Sequence, residues 1–265
     1  MGAPKGPKVL LFDIETAPML GYVWSLWENN VALNQLHSDW YILSFAAKWA
    51  DLDEVIYHDQ RHEEKIEDDS KLLKKLWYLL DAADVVVTQN GKAFDQKKVF
   101  ARFILQGFQP PSSFKHIDTK QIAQRTFGFS SNKLEYLTAK LCKRFRKSKH
   151  KRYPGFELWL GCLAGKATAW QEMEKYNKAD VLALEELWEK LRPWNNGGVN
   201  LNLFHDEAEY VCPCGSKLLK RQGFAYTAAG KYQRYRCKVC GAESRDRKNL
   251  FGKDKIANLH VDIKR

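Results

Sequence analysis

The sequence predicts an α/β protein: a mixed sheet flanked by helices, followed by a small cysteine-bound module. Three observations carry that prediction. Short apolar runs of strand length, such as VLLF at 9–12 and VVV at 85–87, alternate with longer stretches of helical periodicity. The first three strand candidates lie close together, which favours an antiparallel meander, whereas later ones are separated by helices. Finally, two tight cysteine pairs, Cys212 with Cys214 and Cys237 with Cys240, lie near the C-terminal end.

Taken in order, VLLFDIET at 9–16 is apolar enough for a central strand covered on both faces. The aromatic-rich segment 19–35 reads as a connection. WYILSFAAKWA at 40–50 and EVIYHDQ at 54–60 are strands divided by the acidic turn Asp51-Leu52-Asp53. Leu72, Leu73, Leu76, Leu79 and Leu80 recur at helical spacing, and Asp68, Asp69 and Ser70 supply start signals. DVVVTQN at 84–90 is a buried strand, 92–107 a helix ended by Gly107, 109–113 a loop and 114–119 a short strand. Helices are expected over 120–128, 131–142, 156–165 and 168–191, with Pro193 and Gly197-Gly198 marking the exit. The expected domains are 7–195, a module at 208–248 and a charged tail at 249–265.

A 45% hydrophobic and 13% aromatic composition is enough for a real core. No stretch approaches the roughly 20 apolar residues of a membrane span, and the start lacks the apolar segment of a signal peptide, so a cytoplasmic location is expected. Cys142 and Cys162 read as core residues, while the two tight pairs are of the kind that grips zinc in reducing compartments. Of the +11 net charge, residues 201–265 carry 14 Lys and Arg against 7 Asp and Glu, leaving 29 against 25 before them. That excess fits a polyanionic partner, most simply nucleic acid, although solubility alone also accounts for it.

Asp13 and Glu15 alternate onto one face of the first strand, where two carboxylates repel unless a cation, a proton or a functional demand compensates. A lone Asp-x-Glu arises by chance about once in such a chain, at roughly 6% usage of each residue. Further acids lie at Asp95, at or just inside a helix start, and at Asp180, four residues after Tyr176 on the last long helix. Hard oxygen donors of this kind suit magnesium or manganese. Plainer roles stand beside these: Asp95 is a good helix N-cap, Tyr176 a half-buried aromatic, and Asn90-Gly91 a turn as readily as a substrate contact.

The order FDIET, NGKAFD, YNKAD resembles the three motifs of the DEDD superfamily of 3′-to-5′ exonucleases. Tyr176, with Lys rather than His at 175, resembles its tyrosine branch. The wider wording, including GYVWSLWENN, SNKLEYLTAKL and GFELWLG, resembles phage and bacterial ribonuclease-H-like exonucleases with a C-terminal zinc ribbon. The resemblance implies two-metal phosphodiester hydrolysis at a 3′ end, with two Mg2+ or Mn2+ ions. Asp13 would bridge both ions, Glu15 and Asp180 complete one site, Asp95 hold the second ion, and Tyr176 orient the attacking water. A structure-selective endonuclease and a nucleic-acid-binding accessory of replication, repair or recombination are the rivals.

The run KRFRKSKHKR at 143–152 offers Lys143, Arg144, Arg146, Lys147, Lys149, Lys151 and Arg152 either to solvent or to a nucleic-acid backbone. Tyr22, Trp24 and Trp27 are core aromatics or stacking platforms. In the module, zinc held by Cys212, Cys214, Cys237 and Cys240 would replace a core too small to form. Cys212-Pro213-Cys214 is one residue short of the usual knuckle spacing, so His205 is a possible substitute ligand. Lys220, Arg221, Arg234 and Arg236 with Tyr232 read as a nucleic-acid grip, DNA ahead of RNA, or else as a protein-docking knob for a replication or recombination partner.

Overall fold

The computed structural model describes residues 6–146, 152–195, 198–204 and 210–260. Two compact units divide the chain, one spanning Lys8–Leu191 and one holding the chain from Arg192 onward.

In the first unit the elements run β1 (Val9–Thr16), β2 (Leu20–Gly21), β3 (Leu36–Ser38), β4 (Ile42–Trp49), β5 (Val55–Asp59), α1 (Ser70–Asp81), β6 (Val85–Thr88), α2 (Asp95–Leu105), β7 (Lys115–Asp118), α3 (Thr119–Thr126), α4 (Leu134–Leu141), α5 (Glu157–Leu163) and α6 (Ala167–Leu191). The sheet order is β5-β4-β1-β6-β7. Pairings of β1 with β4 and of β4 with β5 are antiparallel, and those of β6 with β1 and β7 are parallel. The expected meander is therefore present, and the helical crossovers supply the parallel half. The segment from 19 to 38 differs from the expected plain connection, because β2 and β3 pair as a separate two-stranded ribbon.

One sheet face presents Leu10, Phe12, Ile14 and Phe45 to Leu73 and Leu76 of α1 and to Val99 and Phe103 of α2. Burying a side chain of this size stabilises by roughly 1.5–3 kcal/mol. Helix α6 packs against β1 and β4 on the other face, and against α3, α4 and α5. Trp170, Met173 and Tyr176 of α6 join Leu43, Leu158 and Cys162 in that second cluster. Cys142 and Cys162 are buried.

Buried charges act as rivets. Asp69 sits at the N-cap position of α1, as its start signal predicts, but its carboxylate caps no helix amide; it receives Arg102 Nη2 at 2.6 Å, Arg102 Nε at 2.9 Å and the Ile42 amide at 2.9 Å, tying the entry of α1 to α2 and to β4. On α6, buried Glu186 accepts the backbone amides of Lys143, Arg144 and Phe145 at 2.8, 3.0 and 2.8 Å. Those bonds hold its carboxyl below the usual range despite the opposing push of burial. Glu186→Gln sets an amide against one of these donors. It should cost about 2 kcal/mol and lower the melting temperature by roughly 5 °C, and an unchanged melting curve would contradict this.

In the second unit, β8 (Leu219–Thr227), β9 (Gly230–Cys237) and β10 (Glu243–Arg245) form an antiparallel sheet in the order β10-β9-β8. The stretch after 248 is not merely a tail. Leu250 N donates to Lys231 O at 2.7 Å, and a short helix α7 (Lys253–Ala257) follows.

Candidate metal centres

Parallel pairing of β1 with β6 stops at Leu11↔Val87, whereas antiparallel pairing with β4 continues through Asp13↔Ala46 and Glu15↔Ser44. The end of β1 thus outruns β6 on one side. Helix α2 fills the gap: Asp95, its first residue, accepts the Ile14 amide at 3.3 Å. Between Glu15↔Ser44 and Thr16↔Ile42 the register skips Leu43, a bulge of the kind that re-aims side chains beside functional sites.

Asp13 and Glu15 share the face covered by α6, which brings in buried Asp180. One carboxylate oxygen from each of Asp13, Glu15 and Asp180 lies within 4.8 Å of the others. At that separation each pair repels by on the order of 3 kcal/mol with an effective dielectric near 20. A divalent cation removes the conflict, and three hard oxygen donors fit magnesium or manganese. Asp95 stays outside this set of three, and its Oδ1 accepts from the β1 backbone. Burial pushes the Asp95 carboxyl up to about 7, against the pull of backbone hydrogen bonds, with nearby Asp118 adding to the rise. A cation beside it would favour the charged form. Tyr176 is buried, its ring edge-on to Trp159 at 6.2 Å, one helical turn before Asp180.

Sequence reasoning missed Asn177. Its Nδ2 donates to Asp13 Oδ2 at 2.8 Å, and Ser44 Oγ donates to its Oδ1 at 3.2 Å; Asn177 and Ser44 are fully buried. This chain fixes where Asp13 points, as residues behind metal ligands do. The available signal was an amide residue, disfavoured inside helices, placed three before Asp180 and hence on its face. Asn177→Ala should weaken divalent-metal affinity about 10- to 100-fold with the fold retained. Calorimetric titration with Mn2+ checks this, and an unchanged affinity would refute it.

In the second unit the sulfurs of Cys212, Cys214, Cys237 and Cys240 all lie within 4.8 Å of one another. The short Cys212-Pro213-Cys214 half closes the set, while His205 lies outside the described residues. Two knuckles build it, closed by Gly215 N to Cys212 O at 2.7 Å and Gly241 N to Cys237 O at 3.1 Å. Gly215 and Gly241 adopt φ of 86° and 78°, where a side chain would be strained. Although burial pushes the Cys237 thiol up, the amides of Cys240 and Val239 bring it down to about 6, so a thiolate is at hand near neutral pH. Four clustered thiols fit tetrahedral zinc.

Residues 32–192 match the sequence model of the RNase_H superfamily. The chain belongs to the RNase H superfamily. Its structure is similar to that of a family B DNA polymerase from the hyperthermophilic archaeon Pyrobaculum calidifontis, with a TM-score of 0.51 and 16% identity. That similarity covers 73% of this chain and 25% of the polymerase chain, and at this identity it concerns the fold alone. No curated protein matches. The mixed sheet and flanking helices are thus an RNase H-like domain, and its acid cluster joins two residues of the central strand, Asp13 and Glu15, to Asp180 of α6.

The expected nucleic-acid contacts occupy several places around this RNase H-like domain and in the second unit. Lys143, Arg144 and Arg146 begin the basic run anchored by Glu186, with Arg144 also paired to Glu189 at 2.8 Å. Arg152 lies beside the Tyr153 ring at 5.9 Å, while Lys147, Lys149 and Lys151 fall outside the described residues. Asn90 adopts φ of 70° in the turn after β6 and accepts Lys120 Nζ at 3.0 Å. On the small sheet, Lys220 is opposite Arg236 and Arg221 opposite Tyr235. Arg236 pairs with Glu243 at 2.6 Å, Arg234 approaches the same carboxylate at 3.6 Å, and Arg245 covers the Tyr232 ring at 4.1 Å. Among the described residues, no helix is long and apolar enough to cross a membrane.

Proposed function

We propose that the protein is a metal-dependent 3′-to-5′ exonuclease that hydrolyses phosphodiester bonds at single-stranded nucleic-acid ends, DNA ahead of RNA. The observation that carries this reading is the meeting within 4.8 Å of Asp13 and Glu15, on the central strand of an RNase H-like sheet, with Asp180 of α6. Asp13, Glu15 and Asp180, with Asp95 nearby, would hold divalent cations, which would supply charge neutralisation and an acidified water. Glu15 and Asp180 would serve the side of the attacking water, and Asp95 the leaving side. Asn177 keeps Asp13 aimed through the bond at 2.8 Å. Tyr176 orients the water by hydrogen bonding, because a phenol with a pKa near 10 is a weak base at neutral pH.

The basic segment starts beside Glu186, six residues beyond Asp180 on α6 and so about 9 Å along the axis. Lys143, Arg144, Arg146, Lys147, Lys149, Lys151 and Arg152 then track the strand backbone, with Asn90 near the turn. The second unit binds one structural zinc ion and adds sequence-independent affinity through Lys220, Arg221, Tyr232, Arg234 and Arg236. Matched single-stranded DNA and RNA labelled at the 3′ end test this reading, with Mg2+ or Mn2+ against chelator. Immediate metal-dependent release of labelled mononucleotide is expected. Retention of the label in longer fragments would replace the reading with an endonuclease, and no cleavage at all with a binding protein.

A further inference from the structure

The strand that carries Glu15 does not run straight into the next strand of the sheet. Between Thr16 and Ile42 the chain makes the β2–β3 ribbon, and both of its feet stand at one place, where Thr16 pairs with Ile42 and Glu15 with Ser44. Leu20 is five positions after Glu15, so the ribbon starts within about 17 Å of that residue's Cα.

Its surface is unusual. Trp24 is 98% exposed, Trp27 83% and Leu26 86%. Contiguous exposed apolar surface marks an interaction site. Nor is the ribbon loose. Tyr22 N donates to Gln35 O at 2.9 Å, and Gln35 Nε2 returns to Tyr22 O at 3.0 Å. At the tip, Ser25 Oγ donates to Trp27 O at 2.7 Å and Asn29 Nδ2 to Ser25 O at 2.5 Å, around Glu28 with φ of 53°. The backbone that displays the indoles is held.

A cleft of about 740 Å³ opens in the ribbon, lined by Tyr22, Val23 and Trp24 and by the amide residues Asn29, Asn30, Asn34 and Gln35. Small-molecule sites occupy roughly 300–1,000 Å³. Residues 19–38 contain no Lys or Arg, so this surface is not built for phosphate. Flat aromatic faces suit the bases, which stack on the rings; the Asn29 and Gln35 amides are bound within the ribbon, and Asn30 and Asn34 are the amides left to meet base edges.

We propose that the β2–β3 ribbon is a base-stacking site that seats unpaired bases of the substrate strand beside the acid cluster, and so selects single-stranded ends. The inference rests on the nuclease reading above. Bases paired in a duplex keep their faces stacked on each other and their edges occupied, and do not enter.

The test uses the full chain carrying Asp13→Asn, in chelator, with a single-stranded oligonucleotide bearing 2-aminopurine near its 3′ end. Binding is followed by anisotropy and stacking by fluorescence quenching, neither of which requires cleavage. Adding Trp24→Ala and Trp27→Ala together should weaken binding about tenfold or more and abolish the quenching, with Trp24→Phe retaining most of both. Binding of a blunt duplex should not change. Equal quenching and affinity in the doubly substituted protein would overturn the proposal. A change of oligomeric state with binding intact would also overturn it, assigning the ribbon to a second copy instead. Failure of the wild-type protein to release mononucleotide would be a separate result that removes the nuclease reading itself.

Discussion

Asp13→Asn is expected to lower 3′-end hydrolysis by at least about three orders of magnitude, a loss of ~4 kcal/mol of transition-state stabilisation, without unfolding the protein. Asp13 lies between two partners. Its carboxylate belongs to the cluster with Glu15 and Asp180, and it is the acid that Asn177 grips. An amide there keeps the volume but loses the charge that balances a cation. Because the three anions repel one another when no cation is present, the substituted protein should be at least as stable in chelator as the parent. Tyr176→Phe removes a hydroxyl and leaves every carboxylate, so its loss should be far smaller, about tenfold. Single-turnover release of a 3′-labelled nucleotide with saturating Mn2+ measures both. More than a tenth of parental activity in Asp13→Asn would place the chemistry elsewhere.

Removal of the ion from the four-cysteine cluster should unfold the second unit and leave the first intact. Among its described residues, β8 has no buried position, and the buried residues are Leu201, Cys212, Gly230 and Cys237. Such a module has too little apolar surface to offset the entropy of ordering its chain, and a structural zinc contributes roughly 10–16 kcal/mol at neutral pH. The purified protein should carry one zinc per chain. Cys240→Ser should lose that zinc, lose hydrogen-exchange protection across β8 and β9, and weaken nucleic-acid binding at low salt. Retained amide protection after the zinc is gone would show that the hairpin stands without it.

The parts of the site legible in the sequence were those governed by short-range rules. Strand alternation places Asp13 and Glu15 on one face, and helical spacing places Tyr176 and Asp180 together. The glycine that follows each cysteine pair marks the knuckles. What escaped depends on register and tertiary partners. Leu43 is one more apolar residue in an apolar strand, and only the pairing of β1 with β4 makes it a bulge. Asp69 reads as a helix start, yet its carboxylate belongs to Arg102, 33 residues away. The aromatic segment 19–35 has the composition of a core without the period of a helix or strand, and composition alone cannot say that Trp24 faces water. Asp95 was placed correctly at the start of α2, but its bond to Ile14 follows from β1 outrunning β6.

The bond between Asn177 and Asp13 spans 164 positions of the chain. During synthesis, at roughly 5–20 residues per second, Asp13 and Glu15 leave the ribosome on the order of ten seconds before the helix that completes them. A nascent chain, or one broken off before α6, has two acids of the cluster and nothing to aim them. On the proposed reading, cutting power arrives only with the last helix of the first unit, and unfinished copies of the chain should not cleave nucleic acid.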